Sequence, residues 1–348
     1  MIMVRKYIWK GIYMKIKINK KSKIIIAFGV LIFILIIGID YFGNISKKST
    51  LDLNGKHIVV YSCLREEETK AILELFKSKT NCSYEYIQLP TQEAISRIED
   101  EKNSPKADIF LSGTKLSLQK LDKIDSIKRY VSKNSRGLPD EFKSSNGKWV
   151  AFEVHPFSIV INKNVWEKDF KDIPLPKSFE DLKNPKFKGK IVLPNPLTSG
   201  TGYSFINYLN EYLGDEKYKD IIKKIKDNTG LLSTRGYNVV QNVASGEYPI
   251  GISYLSNIKL MEKTVSNLIV ITPKNVGVDL HGIGIINKKD NLDAEEAFVD
   301  FIISKETQEK LKDISFAYPV LDYKNLNNYS IIKNQNNEDI AIDTWKKS

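Results

Sequence analysis

The turn Thr198-Ser199-Gly200-Thr201 places three hydroxyls and a glycine ahead of an apolar-periodic stretch, Tyr203–Leu213, whose spacing predicts a helix. A helix start carries unpaired backbone N–H groups and a positive dipole, so this turn suits an anion. Ser62 and Ser112 stand at comparable predicted strand-to-helix turns. Three such turns converging on one cleft could cradle a phosphate or phosphonate without a lysine. The Gly-Lys-Ser/Thr run of a Walker loop is missing. Arg235, in SerThrArgGlyTyrAsn, offers a fork that pairs with phosphate oxygens. Each turn also reads as plain helix capping, and Arg235 as a solvated surface cation.

Catalytic chemistry finds less support. HisGluXXHis, GlyXSerXGly and paired-cysteine metal spacings are all missing, and no cofactor motif is found. Cys63 precedes a predicted helix start, a position that lowers a thiol pKa. With His155 it makes a conceivable nucleophile pair, hence a second alternative, an extracellular enzyme using Cys63. A small residue packed in a tight turn is the other reading. The expectation is a non-enzyme.

The elements that would position these residues alternate strand and helix, which predicts an α/β fold. His57–Tyr61 and Tyr84–Leu89 read as strands, with a helix over 66–79 between them. Ser62 is expected to cap that helix, whose first turn holds Glu66, Glu67 and Glu68. Parallel pairing of the two strands puts Cys63 and Cys82 at opposite sheet edges, too far apart for a bridge, so two free thiols are expected. A helix over 92–102 and a strand at 108–111 ending at Ser112-Gly113-Thr114 follow. Trp149–Asn162 is a long β-rich run broken by Pro156, which predicts a change of sheet. His281–Asn287 reads as a glycine-rich return crossing. Two crossings divide the chain into lobe one (52–155 plus 282–330) and lobe two (156–281), followed by a polar tail (331–348). Two lobes joined by crossing strands make a hinged cleft.

Charge sorts the chain further. It carries 348 residues and a net charge of +11, with 53 Lys and Arg against 42 Asp and Glu. Ten basic residues and one acid fall within residues 1–49, leaving a body close to neutral. Nucleic-acid binding therefore loses its electrostatic support. Ile24–Ile39 is an uninterrupted run of 16 uncharged residues. Extended to Gly43 it is long enough for a spanning helix, which needs roughly 17–25 residues. Lysines on its amino-terminal side predict that side to be cytoplasmic. The expected order is a basic cytoplasmic segment (1–23), a transmembrane anchor or signal (24–43) and a linker (44–55), with the lobes extracytoplasmic. An anchor and a cleaved signal both remain open, as do Met1 and Met14 as starts.

Residues 59–76, 107–113, 149–162, 176–202, 246–254 and 297–311, taken in order, resemble the extracytoplasmic solute-binding proteins of ABC importers, type two class. The branch resembled includes ferric-iron, phosphonate and hexose-phosphate binders. The resemblance implies a two-lobed fold of the periplasmic-binding-protein type with two hinge crossings. It implies a small-molecule ligand, and permease and ATPase subunits as partners. It places Ser62, Cys63, Ser112, Gly113, Thr198, Ser199, Gly200 and Thr201 at the cleft, with His155 and Tyr254 facing it. A phosphate- or phosphonate-bearing organic anion is the favoured ligand. Iron binders of this class use adjacent tyrosines, and no Tyr-Tyr pair occurs here. If iron is bound instead, His155, Tyr237, Tyr254 and His281 are its candidate ligands.

Overall fold

The computed structural model describes residues 51–288, 293–326, 328–331 and 338–348. The expected cytoplasmic segment and the spanning helix at 24–43 lie outside the described residues. Among the described residues, no helix is long and apolar enough to cross a membrane.

Lobe one begins with β1 (His57–Ser62), α1 (Glu66–Thr80), β2 (Ser83–Gln88), α2 (Thr91–Asp100), β3 (Ile109–Thr114), α3 (Lys115–Lys123) and the short β4 (Ile127–Lys128). β1 pairs in parallel with β2 and with β3, as a βαβ unit requires. The apolar positions of α1 (Ile72, Leu73, Phe76) are buried against the sheet. Carboxylates in its first turn and Lys77 and Lys79 in its last complement its dipole. Cys63 and Cys82 are free thiols at opposite ends of the strands, as expected.

β5 (Trp149–Asn162) is buried along its whole length. Its first half pairs with lobe one, as far as Pro156 opposite Val278. Its second half pairs with lobe two, starting with Phe157 opposite Tyr254. Pro156 has no N–H to donate, and it sits where the strand changes partners.

Lobe two holds α4 (Lys163–Asp169), β6 (Ile191–Pro194), α5 (Gly200–Leu213), α6 (Asp215–Asp227), β7 (Thr229–Ser233), α7 (Gly236–Ala244), β8 (Ile250–Tyr254), α8 (Leu255–Met261) and β9 (Leu268–Ile271). β10 (Gly277–Ile286) then returns to lobe one, antiparallel to both β5 and β3. Val276 packs in the lobe-two core and Val278 in the lobe-one core, so this crossing lies several residues before His281. At Gly277 a Cβ would come within 2.1 Å of the Tyr208 ring, so the close approach at the crossing needs glycine.

α9 (Asp293–Ile302), α10 (Lys305–Ser315), β11 (Tyr318–Pro319) and β12 (Ser330–Ile331) complete lobe one. The expected polar tail is different in the structure. Within it, α11 (Glu338–Lys347) packs on lobe two, with Ala341 and Trp345 buried. Tyr218 Oη donates to the Ala341 carbonyl at 3.0 Å, and Lys226 Nζ donates to that of Trp345 at 2.8 Å. The apolar spacing of Ala341 and Trp345, one turn apart, overrides the polar composition around it. Tyr329 packs against the cores of both lobes.

Candidate functional site

The lobes meet around a cavity of about 80 Å³. Five helices of nine residues or more start at its wall, and the residue capping each start lines it: Arg65 (α1), Pro90 (α2), Thr114 (α3), Ser199 (α5) and Arg235 (α7). Strand-to-helix turns from both lobes thus aim helix dipoles and free N–H groups at one space. Ser199 Oγ accepts from Gly202 N at 3.4 Å, and Thr114 Oγ1 from Ser117 N at 3.3 Å.

Contacts across the cleft hold the lobes together. The Arg65 guanidinium lies over the Tyr237 ring, 5.4 Å from its centroid. Gln92 N donates to the Thr198 carbonyl at 3.3 Å. Gly200 abuts lobe one so closely that a Cβ there would lie 2.6 Å from Thr91 Oγ1 and 2.8 Å from Thr114 Cγ2.

Beneath the cavity the crossing strands bring titratable groups together. Glu153 and His155 lie on β5, Asp279 and His281 on β10, with His281 opposite Glu153 and Asp279 opposite His155. The His155 and His281 rings are 3.9 Å apart, and the Tyr254 ring is 4.9 Å from His155. Tyr254 Oη donates to Asp279 Oδ2 at 2.5 Å. His155 Nδ1 lies 2.9 Å from Ser256 Oγ, and its Nε2 is 3.4 Å from Glu153 Oε2. Arg65 pairs with Glu68 at 3.0 Å.

Desolvation dominates the electrostatics. Burial, with the Arg65 charge adding to it, lowers His155 to about 3. Burial and then His155 hold His281 well below its usual value. Burial pushes the Glu68 and Glu153 carboxyls up, against the pull of Arg65. It raises Asp279 to about 6, although Tyr254 donates to it. The Tyr254 phenol is driven well above 10 by burial and by Asp279. The two imidazoles are therefore neutral at pH 7 and Tyr254 keeps its proton.

Of the residues singled out in the sequence, Cys63, His155, Ser199, Gly200, Thr201, Arg235 and Tyr254 line the cavity, as do Tyr237 and His281. Ser62 does not. It is fully buried, its Oγ bonded to Thr69 Oγ1 at 2.8 Å and accepting from Leu64 N at 3.3 Å, and it does not cap α1. Ser112 and Gly113 are inside β3, not at its end, and Gly113 stands opposite Gly282. The strand runs on to Thr114, which takes the turn position expected of Ser112. Thr198 lies one residue before the α5 cap and outside the cavity wall. Burial raises the Cys63 thiol to about 12, and His155 is turned to Ser256, so the pair lacks an activated nucleophile.

Sequence reasoning missed Arg65, Glu68, Glu153 and Asp279. Arg65 was within reach, since it follows Ser62 in the same turn. Glu153 and Asp279 carried a fainter signal: each is a carboxylate two residues from a histidine on an apolar strand.

A family model described as bacterial extracellular solute-binding protein matches residues 104–347. A protein of Haemophilus influenzae without an assigned function is 27% identical over 72% of this chain and 74% of its own length. The periplasmic binding protein AfuA of Actinobacillus pleuropneumoniae, solved with fructose-6-phosphate bound, is 26% identical. It superposes with a TM-score of 0.72 over 76% of this chain and 84% of that one. Iron-bound HitA of Pseudomonas aeruginosa shares the fold with a TM-score of 0.68 at 20% identity, over 76% and 86% of the two chains.

Proposed function

The chain belongs to the bacterial extracellular solute-binding protein family, and from that premise we propose that it is the receptor of an ABC importer for a phosphate- or phosphonate-bearing organic anion. The convergence of five helix starts on one interlobe cavity carries this reading, with Arg65 and Arg235 at its wall. Such a wall supplies N–H donors and guanidinium forks from both lobes, so an anion bridges them and favours closure. The likeness to AfuA supports the same ligand class. A cavity of about 80 Å³ takes a phosphate-sized head group. It is far below the roughly 300–1,000 Å³ of a typical small-molecule pocket, so a whole sugar phosphate enters after the lobes part. The lobes stand outside the cell, tethered through the apolar run at 24–43, and the closed form docks on the permease.

Ferric iron, the second reading, draws on the fold shared with HitA. It is disfavoured by Tyr254, whose phenol is engaged with Asp279 and held protonated.

The test is a thermal-shift panel on the full chain in detergent. Fructose-6-phosphate at 100 times its dissociation constant should add roughly 2.7 kcal/mol of stability. Fructose alone should add none, and Arg235→Ala should abolish the shift. A coloured, chelator-sensitive shift with ferric citrate and none with any phosphate or phosphonate ester would transfer the assignment to iron.

A further inference from the structure

We propose that Glu153, His155 and His281 form a binding site for one divalent transition-metal ion of the zinc or cobalt type, at the floor of the cavity. One potential ligand atom from each residue lies within 4.8 Å of the other two. Glu153 and His155 are two apart on β5 and so face the same side, and His281 is the cross-strand partner of Glu153. Two hydrogen-bonded strands therefore fix all three ligands from both hinge crossings. Tetrahedral bonds of about 2.0–2.2 Å set neighbouring ligand atoms roughly 3.4 Å apart. The His155–Glu153 separation of 3.4 Å already fits, and a gap at the 4.8 Å limit must close by about 1.4 Å.

The unmet polar groups point to a cation. His155 Nε2 and both Glu153 carboxylate oxygens are buried and make no hydrogen bond of good geometry, Nε2 and Oε2 only facing one another at 3.4 Å, although Glu153 is fully buried and His155 is 5% exposed. Buried groups of this kind are ordinarily satisfied, and each left unmet costs about 1–3 kcal/mol. His155 Nδ1 lies 2.9 Å from Ser256 Oγ, so with a metal on Nε2 the Nδ1–H would donate to that hydroxyl, the arrangement that outer-shell partners impose on a metal-bound imidazole.

The ligand set selects the metal. Two imidazoles and one carboxylate suit borderline divalent ions. Three protein ligands leave a position open toward the cavity that His155 and His281 line. The inference stands apart from the anion reading, although an anion oxygen could complete the coordination.

The experiment uses the full chain in detergent, stripped with EDTA and dialysed, then titrated with zinc chloride and with cobalt chloride alone. One equivalent of zinc by calorimetry and visible d–d bands with cobalt are expected. Both should be lost in His281→Ala. Ser256→Ala, which leaves all three ligands in place, should weaken zinc binding about 10–100-fold. No heat and no cobalt bands in the wild-type chain would overturn the proposal, and so would one-equivalent binding that neither substitution changes. A fructose-6-phosphate thermal shift is measured separately in EDTA. If that shift persists while zinc does not bind, the metal site fails and the anion reading stands.

Discussion

His155 and His281 reach the same point from opposite crossings, with ring centroids 3.9 Å apart. The two strands that connect the lobes are thus joined side chain to side chain on the lobe-one side of their crossings. His155→Ala removes this contact and the one with Tyr254, and strands Ser256. It should destabilise the protein by about 2–4 kcal/mol, read from urea unfolding. A loss under 1 kcal/mol would show that the packing of the two connecting strands does not depend on this ring.

Gly200 is where α5 meets lobe one. Alanine there is compatible with the helix, but its Cβ would strike Thr91 and Thr114 across the cleft. Gly200→Ala should weaken ligand binding at least 10-fold while leaving the unfolding midpoint within about 0.5 kcal/mol of wild type. Small-angle scattering with ligand should show the variant more open. Equal loss of stability and affinity would place the clash inside lobe two instead.

Burial raises the Cys63 thiol to about 12 and Cys82 to about 11. Both should react slowly with a thiol-disulfide reagent at pH 8 in the native state, and faster as the pH rises toward 11. In denaturant both should titrate at once. Rapid native labelling of Cys63 at pH 8 would contradict the buried setting and reopen a nucleophilic role.

Burial alone would raise the Glu101 carboxyl. Arg97, donating at 2.9 Å, and Tyr61, donating at 2.8 Å, outweigh it and hold the group below the usual 4.5. A depressed carboxylate contributes stability that is present above its unfolded value and lost as the pH falls through the folded one. Unfolding stability should therefore drop below about pH 4.5, with Glu101 responsible for about 1 kcal/mol after solvent screening. Glu101→Gln should flatten that part of the acid limb, and an unchanged limb would assign it to other carboxylates.

The fold was legible wherever periodicity and a special residue agreed. The parallel pairing of β1 and β2 followed from one helix between two short apolar runs. Pro156 marked the switch of sheets because its missing N–H is a local fact. In sequence the return crossing falls near His281, later than in the structure, because Gly277, Gly282 and Gly284 all look alike, and it is Tyr208, far along the chain, that requires the first of them. Ser112 reads as the turn in sequence because nothing local shows that β3 runs two residues further, to Thr114. Glu153 and Asp279 are set by cross-strand register, which no single segment contains. The helix at 338–347 was hidden by the polar run ahead of it, though Ala341 and Trp345 carried its spacing.

Among the described residues, that helix lies in the second lobe after β5 and β10 have each crossed once between the halves. Leu53 is seated in the core of the first lobe and Trp345 in that of the second. Fluorophores attached near residues 52 and 348 would therefore ride on opposite halves. Energy transfer between them would report the swing of the receptor without a label anywhere near the cleft.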